Sequence, residues 1–204
     1  MVRLLHSGKA RAVRGFVLAG GASSRFGSDK TLVSYKGRPL VVHALDALRD
    51  LGQNPRVVTS DAAAYRRWTS AFVLGEHPGM GPAEGVRAAL ASTRAPWSLV
   101  LSADMPRVDA RLLRVLLRGA EAAVPEPSGA VCFIDGAGRR HPFPGLYSRS
   151  GISVFARLDP GTSMQRFLEE SGATFLGPET ARSEVDLDAA LWNVNRPEDL
   201  GNPP

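Results

Sequence analysis

One glycine-rich segment near the start of the chain has the residue types and spacing of a phosphate site. It reads Leu18-Ala19-Gly20-Gly21-Ala22-Ser23-Ser24-Arg25-Phe26-Gly27-Ser28-Asp29-Lys30. Glycines let the backbone approach a ligand closely, and successive N–H groups can converge on phosphate oxygens. Arg25 and Lys30 add two positive charges. The apolar residues Phe16-Val17-Leu18 predict a buried strand, so the site is expected at its carboxyl end, where open α/β sheets bind ligands.

The spacing in this segment excludes two better-known phosphate loops. A Walker A loop needs glycine and lysine side by side, whereas two residues separate Gly27 from Lys30. A dinucleotide fingerprint needs one residue between its first two glycines, but Gly20 and Gly21 are adjacent. The segment is therefore a different kind of phosphate cradle, in which an arginine and a lysine accompany the glycines.

Asp104 is the strongest candidate for a metal-binding carboxylate. The apolar run Ser98-Leu99-Val100-Leu101 predicts a buried strand, and Asp104 follows it within Ser102-Ala103-Asp104-Met105-Pro106. A hard cation such as Mg²⁺ prefers oxygen ligands and needs only one or two protein carboxylates beside water and phosphate oxygens. Asp29 leaves two interpretations open: it is a metal ligand, or it positions Lys30. Its place beside the lysine favours the second.

Two asparagines near the end of the chain flank a single apolar residue. Side chains two positions apart in an extended segment point to the same side. Asn193 and Asn195 can therefore present two amides to a metal-bound phosphate or to a second substrate. We find no Ser-His-Asp or Cys-His arrangement in the sequence, and Cys132 lies in an apolar run that is typical of a core position.

The elements that must position these residues alternate along the chain. Short apolar runs alternate with amphipathic stretches, which indicates βαβ units and a mostly parallel sheet. The strands are predicted at residues 16–18, 56–59, 72–74, 98–101, 122–124, 130–133, 174–176 and 191–192. The helices are predicted at residues 39–51, 61–68, 84–91, 109–117, 148–158 and 163–171. Asp61 and Asp109 are expected to be N-caps.

The composition is that of an ordinary globular protein. The chain has 204 residues, of which 44% are hydrophobic and 22% charged, so it can bury a core without disulfides. The net charge of +5 suits an anionic small molecule, and no nucleic-acid partner is expected. No apolar run approaches the length of a membrane span, so no membrane partner is expected either. A single cysteine favours a reducing, cytoplasmic location.

Five segments resemble motifs of one enzyme family. The glycine-rich segment resembles the signature of nucleotidyltransferases with a Rossmann-like, glycosyltransferase-A-type fold, and most of all that of the molybdenum cofactor guanylyltransferases. Four later segments are similar to motifs of that family, in the same order: Gly37-Arg38-Pro39-Leu40, Gly81-Pro82-Ala83-Glu84-Gly85, Ala103-Asp104-Met105-Pro106 and Asn193-Val194-Asn195-Arg196-Pro197-Glu198-Asp199-Leu200. The resemblance implies a three-layer Rossmann-like open sheet, mostly parallel, with helices on both faces.

The resemblance also implies an activity. The enzyme would transfer GMP from GTP to the terminal phosphate of molybdopterin, with Mg²⁺, and release pyrophosphate. Arg25 would contact the leaving phosphates, Lys30 the α-phosphate and Asp104 the metal ion. The implied nucleotide-binding residues are Leu18, Ala19, Gly20, Gly21, Lys30, Ser60, Glu76, Gly81 and Asp104. Asn193 and Asn195 would face the acceptor.

One departure from the family pattern concerns the acceptor. Many members have basic residues after the glycine that corresponds to Gly161, but Thr162 and Ser163 stand there in this chain. Arg139, Arg140 or Arg166 is therefore expected to supply the positive charge that an anionic acceptor needs, and Arg139 and Arg140 are the two assigned to the acceptor.

The basic charge of the first segment and the looser hydrophobic pattern after Gly119 suggest how the chain is divided. We expect a flexible basic leader over residues 1–14 and a single domain over residues 15–204. The nucleotide half of that domain extends to about residue 107, and the acceptor half covers about 108–204.

Two alternatives stay open at this point. The first keeps the mechanism but uses CTP or a sugar phosphate, although the adjacent glycines Gly20 and Gly21 favour guanine over the Leu-Ala-Ala-Gly of cytidylyl-transferring relatives. The second is a non-catalytic, nucleotide-binding chaperone that hands molybdenum cofactor to molybdoenzymes. Other cofactor-biosynthesis proteins and molybdoenzymes are the implied protein partners.

Overall fold

The computed structural model describes residues 13–20, 29–74, 79–123, 129–181 and 184–201. Within them the strands are β1 Val13–Leu18, β2 Ser34–Tyr35, β3 Arg38–Pro39, β4 Arg56–Thr59, β5 Phe72–Leu74, β6 Trp97–Ser102, β7 Ala130–Ile134, β8 Arg140–Ser148 and β9 Thr174–Leu176. The α-helices are α1 Leu40–Arg49, α2 Pro82–Ala91, α3 Ala110–Ala123, α4 Gly151–Phe155, α5 Met164–Glu170 and α6 Leu187–Ala190. Short 3₁₀ helices cover Lys30–Leu32, Ala63–Tyr65, Pro178–Thr180 and Pro197–Leu200.

Seven of these strands form one open sheet in the order β5-β4-β1-β6-β8-β7-β9. Neighbouring strands are parallel except where β8 lies antiparallel between β6 and β7. The chain moves outward from β1 through β4 to β5 and then returns to place β6 on the other side of β1. This change of direction between β1 and β6 is a topological switch point, where open α/β sheets have their ligand crevice.

Helices cover both faces of the sheet. A Cβ built on Gly15 of β1 would lie 3.1 Å from Leu48 of α1, whereas a Cβ on Gly85 of α2 would lie 3.1 Å from Leu18. Gly15 and Leu18 point to opposite sides of β1 because side chains alternate along a strand. Helix α1 contacts α3, and α2 contacts α4 and α5. The predicted three-layer, mostly parallel architecture is confirmed.

The prediction of a strand at residues 122–124 is wrong for the part that the structure describes, because residues 122 and 123 continue α3. The prediction ended this helix before Gly119, which lies within it. A side chain at Gly119 would collide with Leu176 of β9. The absence of a side chain at Gly119 therefore lets Leu176 of β9 pack closely on α3, and the alanines that follow favour the helix.

The sequence did not predict β8, which lies at the centre of the acceptor half. Pro142 and Pro144 lack the N–H donors that a strand uses, so this stretch has the pattern of a loop. Both prolines lie before the stretch Gly145–Ser148 that pairs with β6, and the pairing of β8 with β7 shifts register opposite them. The helix predicted at 148–158 is correspondingly shorter, because Ser148 still belongs to β8 and α4 covers Gly151–Phe155.

Other bounds differ less. The first strand starts at Val13 rather than at Phe16, while β4, β5 and β9 have the predicted bounds. Leu191 and Trp192 do not form the predicted strand but follow the short helix α6, which Asp186 caps by accepting from the Ala189 N–H. Within the described residues, no helix combines the length and the apolar character that a membrane span needs.

Candidate active site

The carboxyl ends of β1 and β6 lie side by side at the switch point. Leu18 pairs with Ser102, the last residues of the two strands. The N–H of Ala103 donates to Leu18 O at 3.1 Å, which continues the pairing one residue further. Both strands are buried along most of their length, since Phe16, Val17, Leu99 and Val100 have no exposed surface. The site therefore stands on a rigid base, with the glycine-rich segment on one strand and Asp104 on the other.

Lys30 and Asp104 meet at this edge of the sheet. Lys30 Nζ donates to Asp104 Oδ2 at 2.6 Å, and their side chains are 19% and 16% exposed. The other carboxylate oxygen, Asp104 Oδ1, accepts from the Ser102 hydroxyl at 2.6 Å. The structure thus brings together two residues that the sequence assigned separately to phosphate and to metal.

Asp29 holds the backbone next to Lys30. It caps the 3₁₀ helix Lys30–Leu32, and its Oδ1 accepts from Thr31 N at 2.9 Å and from Thr31 Oγ1 at 2.8 Å. Its Oδ2 accepts from the hydroxyl of Tyr65. Because both carboxylate oxygens are bonded by protein donors, the contacts support a positioning role for Asp29 rather than the metal-ligand alternative.

The Asn-Val-Asn segment docks onto the Asp104 turn. Val194 N donates to Asp104 O at 2.9 Å, and the Val194 side chain is fully buried in a small cluster with Tyr35 and Leu40. Asn193, which precedes it, is half-buried, and its Oδ1 is buried with no hydrogen-bond partner among the described residues. Asn195 is exposed, and its N–H donates to Asp199 Oδ2 at 2.6 Å. Asn193 is thus the sequence neighbour of Val194, whose N–H bonds the Asp104 turn.

The oxygen atoms near this turn suit a hard cation. Asp104 offers a carboxylate, and Asn193 offers a buried amide oxygen without a partner in the described chain. The described residues contain no group of three or more His, Cys, Asp or Glu side chains that could hold a metal ion. Mg²⁺ needs only one or two protein oxygen ligands when phosphates and water supply the others. The donor set therefore fits Mg²⁺ bound together with a phosphorylated substrate.

Several predicted nucleotide-binding residues lie along the same edge. Ala19 continues β1 by donating to Val58 O at 2.9 Å, and Gly20 follows with φ +106°, a conformation that favours glycine. Ser60 is exposed directly after β4, and Gly81 starts α2 with φ +84°. Leu18 packs beside Gly85, so the start of α2 lies next to the end of β1. Gly21, Arg25 and Glu76 lie outside the described residues, and their assignments stay predictions.

Arg139 and Arg140 lie at the start of β8. Because β8 is antiparallel to β6, this start is at the same edge of the sheet as the end of β6. Arg139 is 76% exposed, with its Nε 3.8 Å from Asp135 Oδ2. Arg140 Nη1 lies 3.8 Å from Glu169 Oε1, and its guanidinium lies 5.1 Å from the ring centre of Phe175. Each arginine therefore has a carboxylate neighbour of its own.

Sequence reasoning missed three side-chain contacts around the site. Tyr65 bonds Asp29, and Arg107 lies over the Trp192 ring, 4.9 Å from its centre.

The third contact joins His141 to Asp135. His141 Nε2 lies 2.9 Å from Asp135 Oδ2, with both side chains largely buried. The pKa of Asp135 lies below its usual value: burial opposes this shift, but hydrogen bonds from His141 and from the backbone N–H groups of Arg139 and Ala137 outweigh burial. Such contacts have no local sequence signal, because they join segments that folding brings together.

The comparisons with known proteins agree with one another. The family model described as MobA-like NTP transferase domain matches residues 15–175. A probable molybdenum cofactor guanylyltransferase of Opitutus terrae is 34% identical over 207 residues, which cover 95% of each chain. Another from Halalkalibacterium halodurans is 28% identical over 91% of this chain and 94% of that protein. The crystal structure of molybdopterin-guanine dinucleotide biosynthesis protein A from Archaeoglobus fulgidus is 24% identical, with a TM-score of 0.75 over 92% of this chain and 95% of that chain.

Proposed function

The chain belongs to the MobA-like NTP transferase family, and from this premise we propose that it is a molybdenum cofactor guanylyltransferase. It transfers GMP from GTP to the terminal phosphate of molybdopterin and releases pyrophosphate. The observation that carries the proposal is the 2.6 Å contact between Lys30 and Asp104 at the switch point. Nucleotidyl transfer needs a cation for the α-phosphate and a carboxylate for a metal ion at one place.

The reaction exchanges one phosphoanhydride bond for another. An oxygen of the acceptor's terminal phosphate attacks the α-phosphorus of GTP, and the bond from that phosphorus to the bridging oxygen of pyrophosphate breaks. Lys30 neutralises charge on the α-phosphate, and Arg25 is assigned to the leaving phosphates. The attacking phosphate monoester is already anionic at neutral pH, so the enzyme needs no general base. This explains the absence of a nucleophilic triad from the sequence.

Asp104 is the residue assigned to Mg²⁺, and the unpartnered amide oxygen of Asn193 is a second candidate oxygen ligand. When bound, the ion neutralises phosphate charge that develops during transfer. The Ser102 hydroxyl orients one carboxylate oxygen of Asp104, and Lys30 contacts the other. In the chain without substrate, Lys30 and Asp104 are thus ion-pair partners, and the α-phosphate competes with Asp104 for the lysine.

The division of labour within the domain belongs to the same proposal. The half up to about residue 107 binds GTP through the backbone of Leu18, Ala19 and Gly20 and through the turns at Ser60 and Gly81. The half beyond it, which includes the segment of Asn193 and Asn195, faces molybdopterin. We also propose that the basic residues before β1 form a leader outside this domain, and the domain begins at Val13 rather than at residue 15, because Val13 and Arg14 belong to β1.

We further propose that the enzyme works in the cytoplasm. Support comes from its single cysteine, Cys132, which cannot form an intramolecular disulfide, as is usual for proteins of a reducing compartment. Cofactor-biosynthesis proteins or molybdoenzymes that receive the product are the expected protein partners.

The experiment that tests this function is pyrophosphate release measured with each of the four nucleoside triphosphates, with and without molybdopterin, and with and without Mg²⁺. We expect release only when GTP, Mg²⁺ and molybdopterin are all present. Preference for CTP would replace guanylyl transfer by the cytidylyl alternative. Tight GTP binding without any pyrophosphate release would favour the non-catalytic chaperone instead.

A further inference from the structure

Tyr65 is a buried residue near the candidate site to which no sequence motif assigns a role. It ends the 3₁₀ helix Ala63–Tyr65, which follows β4, and it is only 1% exposed. Its hydroxyl donates to Asp29 Oδ2 and lies 2.8 Å from Thr31 Oγ1. A buried phenol hydroxyl needs a polar partner, and here two of its partners, Asp29 and Thr31, flank Lys30.

The contacts form a closed set around the lysine. Thr31 donates to Asp29 Oδ1 through its N–H at 2.9 Å and through its hydroxyl at 2.8 Å. Asp29 therefore accepts three hydrogen bonds, two from Thr31 and one from Tyr65. Hydrogen bonds to a charged carboxylate are stronger than neutral ones. The side chains on both sides of Lys30 thus contact one buried hydroxyl from a distant part of the chain.

The chemistry of Tyr65 suits a permanent donor. Burial and the adjacent Asp29 carboxylate raise the pKa of Tyr65 well above its ordinary value, against smaller opposing effects of the Thr31 and Thr59 hydroxyls. The phenol therefore stays protonated at every pH at which an enzyme of this kind works. Its hydroxyl can donate to Asp29 throughout.

Tyr65 is also held by the turn after β4, where Ser60 is assigned to the nucleotide. Asp61 Oδ1 accepts from Ala63 N at 3.0 Å and from Ala64 N at 3.3 Å, which fixes the start of the short helix. Asp61 N in turn donates to Thr59 Oγ1 at 3.1 Å, at the end of β4. The turn assigned to the nucleotide and the lysine assigned to its α-phosphate are therefore connected through one set of hydrogen bonds.

We propose that Tyr65 is a positioning residue, which fixes Lys30 for phosphate contact through Asp29 and Thr31. The inference rests on the proposed function for the role of Lys30, but the anchoring itself is a property of the free chain. A displacement of about 1 Å in a group that contacts the reacting phosphate can lower the rate roughly a hundredfold. Tyr65 thus acts on the transition state without touching substrate.

The test removes one hydroxyl. Tyr65→Phe keeps the ring and the packing but deletes the donor to Asp29. We expect kcat to fall roughly tenfold, the loss that follows from one hydrogen bond to a charged group, while the dissociation constant for GTP changes by less than about threefold. Thr31→Val, which removes the second hydroxyl at nearly constant shape, should lower kcat in the same direction.

A matched control is available in the other half of the sheet. Tyr147 is also fully buried and its hydroxyl donates to Pro142 O, but it lies on β8 away from Lys30. Tyr147→Phe should leave kcat within about twofold of wild type, even if it lowers the melting temperature as much as Tyr65→Phe. Equal losses of kcat in both variants would mean a general effect of buried hydroxyls and would overturn the proposal.

Two measurements separate a positioning role from a structural one. In the background of Lys30→Ala, Tyr65→Phe should cause no further loss of kcat, because the residue that it positions is gone. A full tenfold loss in that background would overturn the proposal. Hydrogen exchange of the Thr31 amide in the substrate-free chain should accelerate several-fold in Tyr65→Phe, since its bond to Asp29 is weakened. Unchanged exchange would also overturn it, whether or not the chain transfers GMP.

Discussion

At the scale of single residues, the proposed nucleotidyl transfer depends on Lys30 and Asp104, which lie 74 positions apart in sequence. Each is held by its own neighbours before the two meet. Ser102 bonds Asp104, and Asp29 and Thr31 are bonded to each other on either side of Lys30. Because the supports do not depend on the pair itself, loss of one charge should affect the reaction more than the fold.

Lys30→Ala should lower the rate of GMP transfer roughly a hundredfold or more, because the α-phosphate loses its cation in the transition state. Lys36→Ala is the matched control, since Lys36 is exposed and its ammonium lies 5.4 Å from the centre of the Tyr35 ring. Initial rates of pyrophosphate release for the two variants, with melting temperatures measured in parallel, provide the test. Near-native turnover by Lys30→Ala would remove the lysine from the site.

Asp104→Asn should abolish Mg²⁺-dependent turnover while some GTP binding persists, because the backbone amides remain and Lys30 keeps its positive charge when its ion-pair partner is neutralised. Asp109→Asn is the control on the following helix: Asp109 caps α3 by accepting from the N–H groups of Arg111 and Leu112, and asparagine caps a helix equally well. Activity titrated against Mg²⁺ distinguishes the two variants. An unchanged metal dependence in Asp104→Asn would place the metal ligand elsewhere.

The residue types of the site could be predicted from the sequence, but their partners could not. A lysine after a glycine-rich turn and an aspartate after an apolar strand each follow from a local pattern. That Asp29 is bonded by Tyr65 depends on how residues 61–65 pack after β4, and no local spacing indicates that packing. The same holds for the contact between His141 and Asp135.

At the scale of elements, the segment from Asn193 to Leu200 connects the end of the domain to the Asp104 turn. Val194 forms the link, with its N–H on Asp104 O and its side chain in the cluster with Tyr35 and Leu40. The 3₁₀ helix Pro197–Leu200 is held by Asp199, whose Oδ2 accepts from Asn195 N at 2.6 Å and from Arg196 N at 2.8 Å. The segment from Asn193 to Leu200 is therefore held at two points, by Val194 on the Asp104 turn and by Asp199 within the segment itself.

This arrangement predicts a pH dependence. The N–H groups of Asn195 and Arg196 bond the charged form of Asp199 and hold its pKa below 3.8, the ordinary value. Because the folded-state pKa is lowered, the two bonds stabilise the segment above pH 3.8, and their contribution is lost as the pH falls through the folded-state pKa. The amide chemical shifts of residues 195 and 196 should titrate with a midpoint below 3.8. Asp199→Asn should remove this titration, and a midpoint at or above 3.8 in the native chain would contradict the assignment.

Elements with a clear hydrophobic period could be predicted, whereas those shaped by tertiary packing could not. Strands β4, β5 and β9 have the predicted bounds because apolar runs between turns define them. Strand β8 contains two prolines outside its pairing with β6, and Gly119 lies inside α3 because β9 packs against it. In both cases packing against a neighbouring element determines the secondary structure. A local stretch of sequence does not show where that neighbouring element lies.

At the scale of the whole molecule, the switch point between β1 and β6 sets the geometry of the reaction. The residues assigned to GTP follow β1, β4, β5 or β6, and the acceptor side begins where antiparallel β8 returns to the same edge. The resemblance to molybdenum cofactor guanylyltransferases is confirmed by the family match. The family could be predicted from the order of the motifs, because these motifs mark turns that the sheet brings to one edge. The antiparallel strand that borders the acceptor side could not be predicted.

Arg139→Gln combined with Arg140→Gln should weaken molybdopterin binding more than GTP binding, because both residues lie at the start of β8 and an anionic acceptor needs cations. The control pairs Arg149→Gln with Arg157→Gln, two exposed arginines beyond the opposite end of β8. Calorimetry with each ligand separately measures the two affinities. Equal losses for GTP and molybdopterin, or no loss for molybdopterin, would contradict the division of labour.

The most direct test of the account follows the α-phosphate itself. Enzyme in excess is mixed with Mg²⁺, molybdopterin and GTP that is labelled at the α-phosphorus, and the products are separated after a single turnover. We predict that the label moves into a molybdopterin–GMP dinucleotide, that unlabelled pyrophosphate is released, and that Lys30→Ala slows this transfer roughly a hundredfold. Label that stays in GTP, or that appears as free GMP without the dinucleotide, would contradict guanylyl transfer at this site.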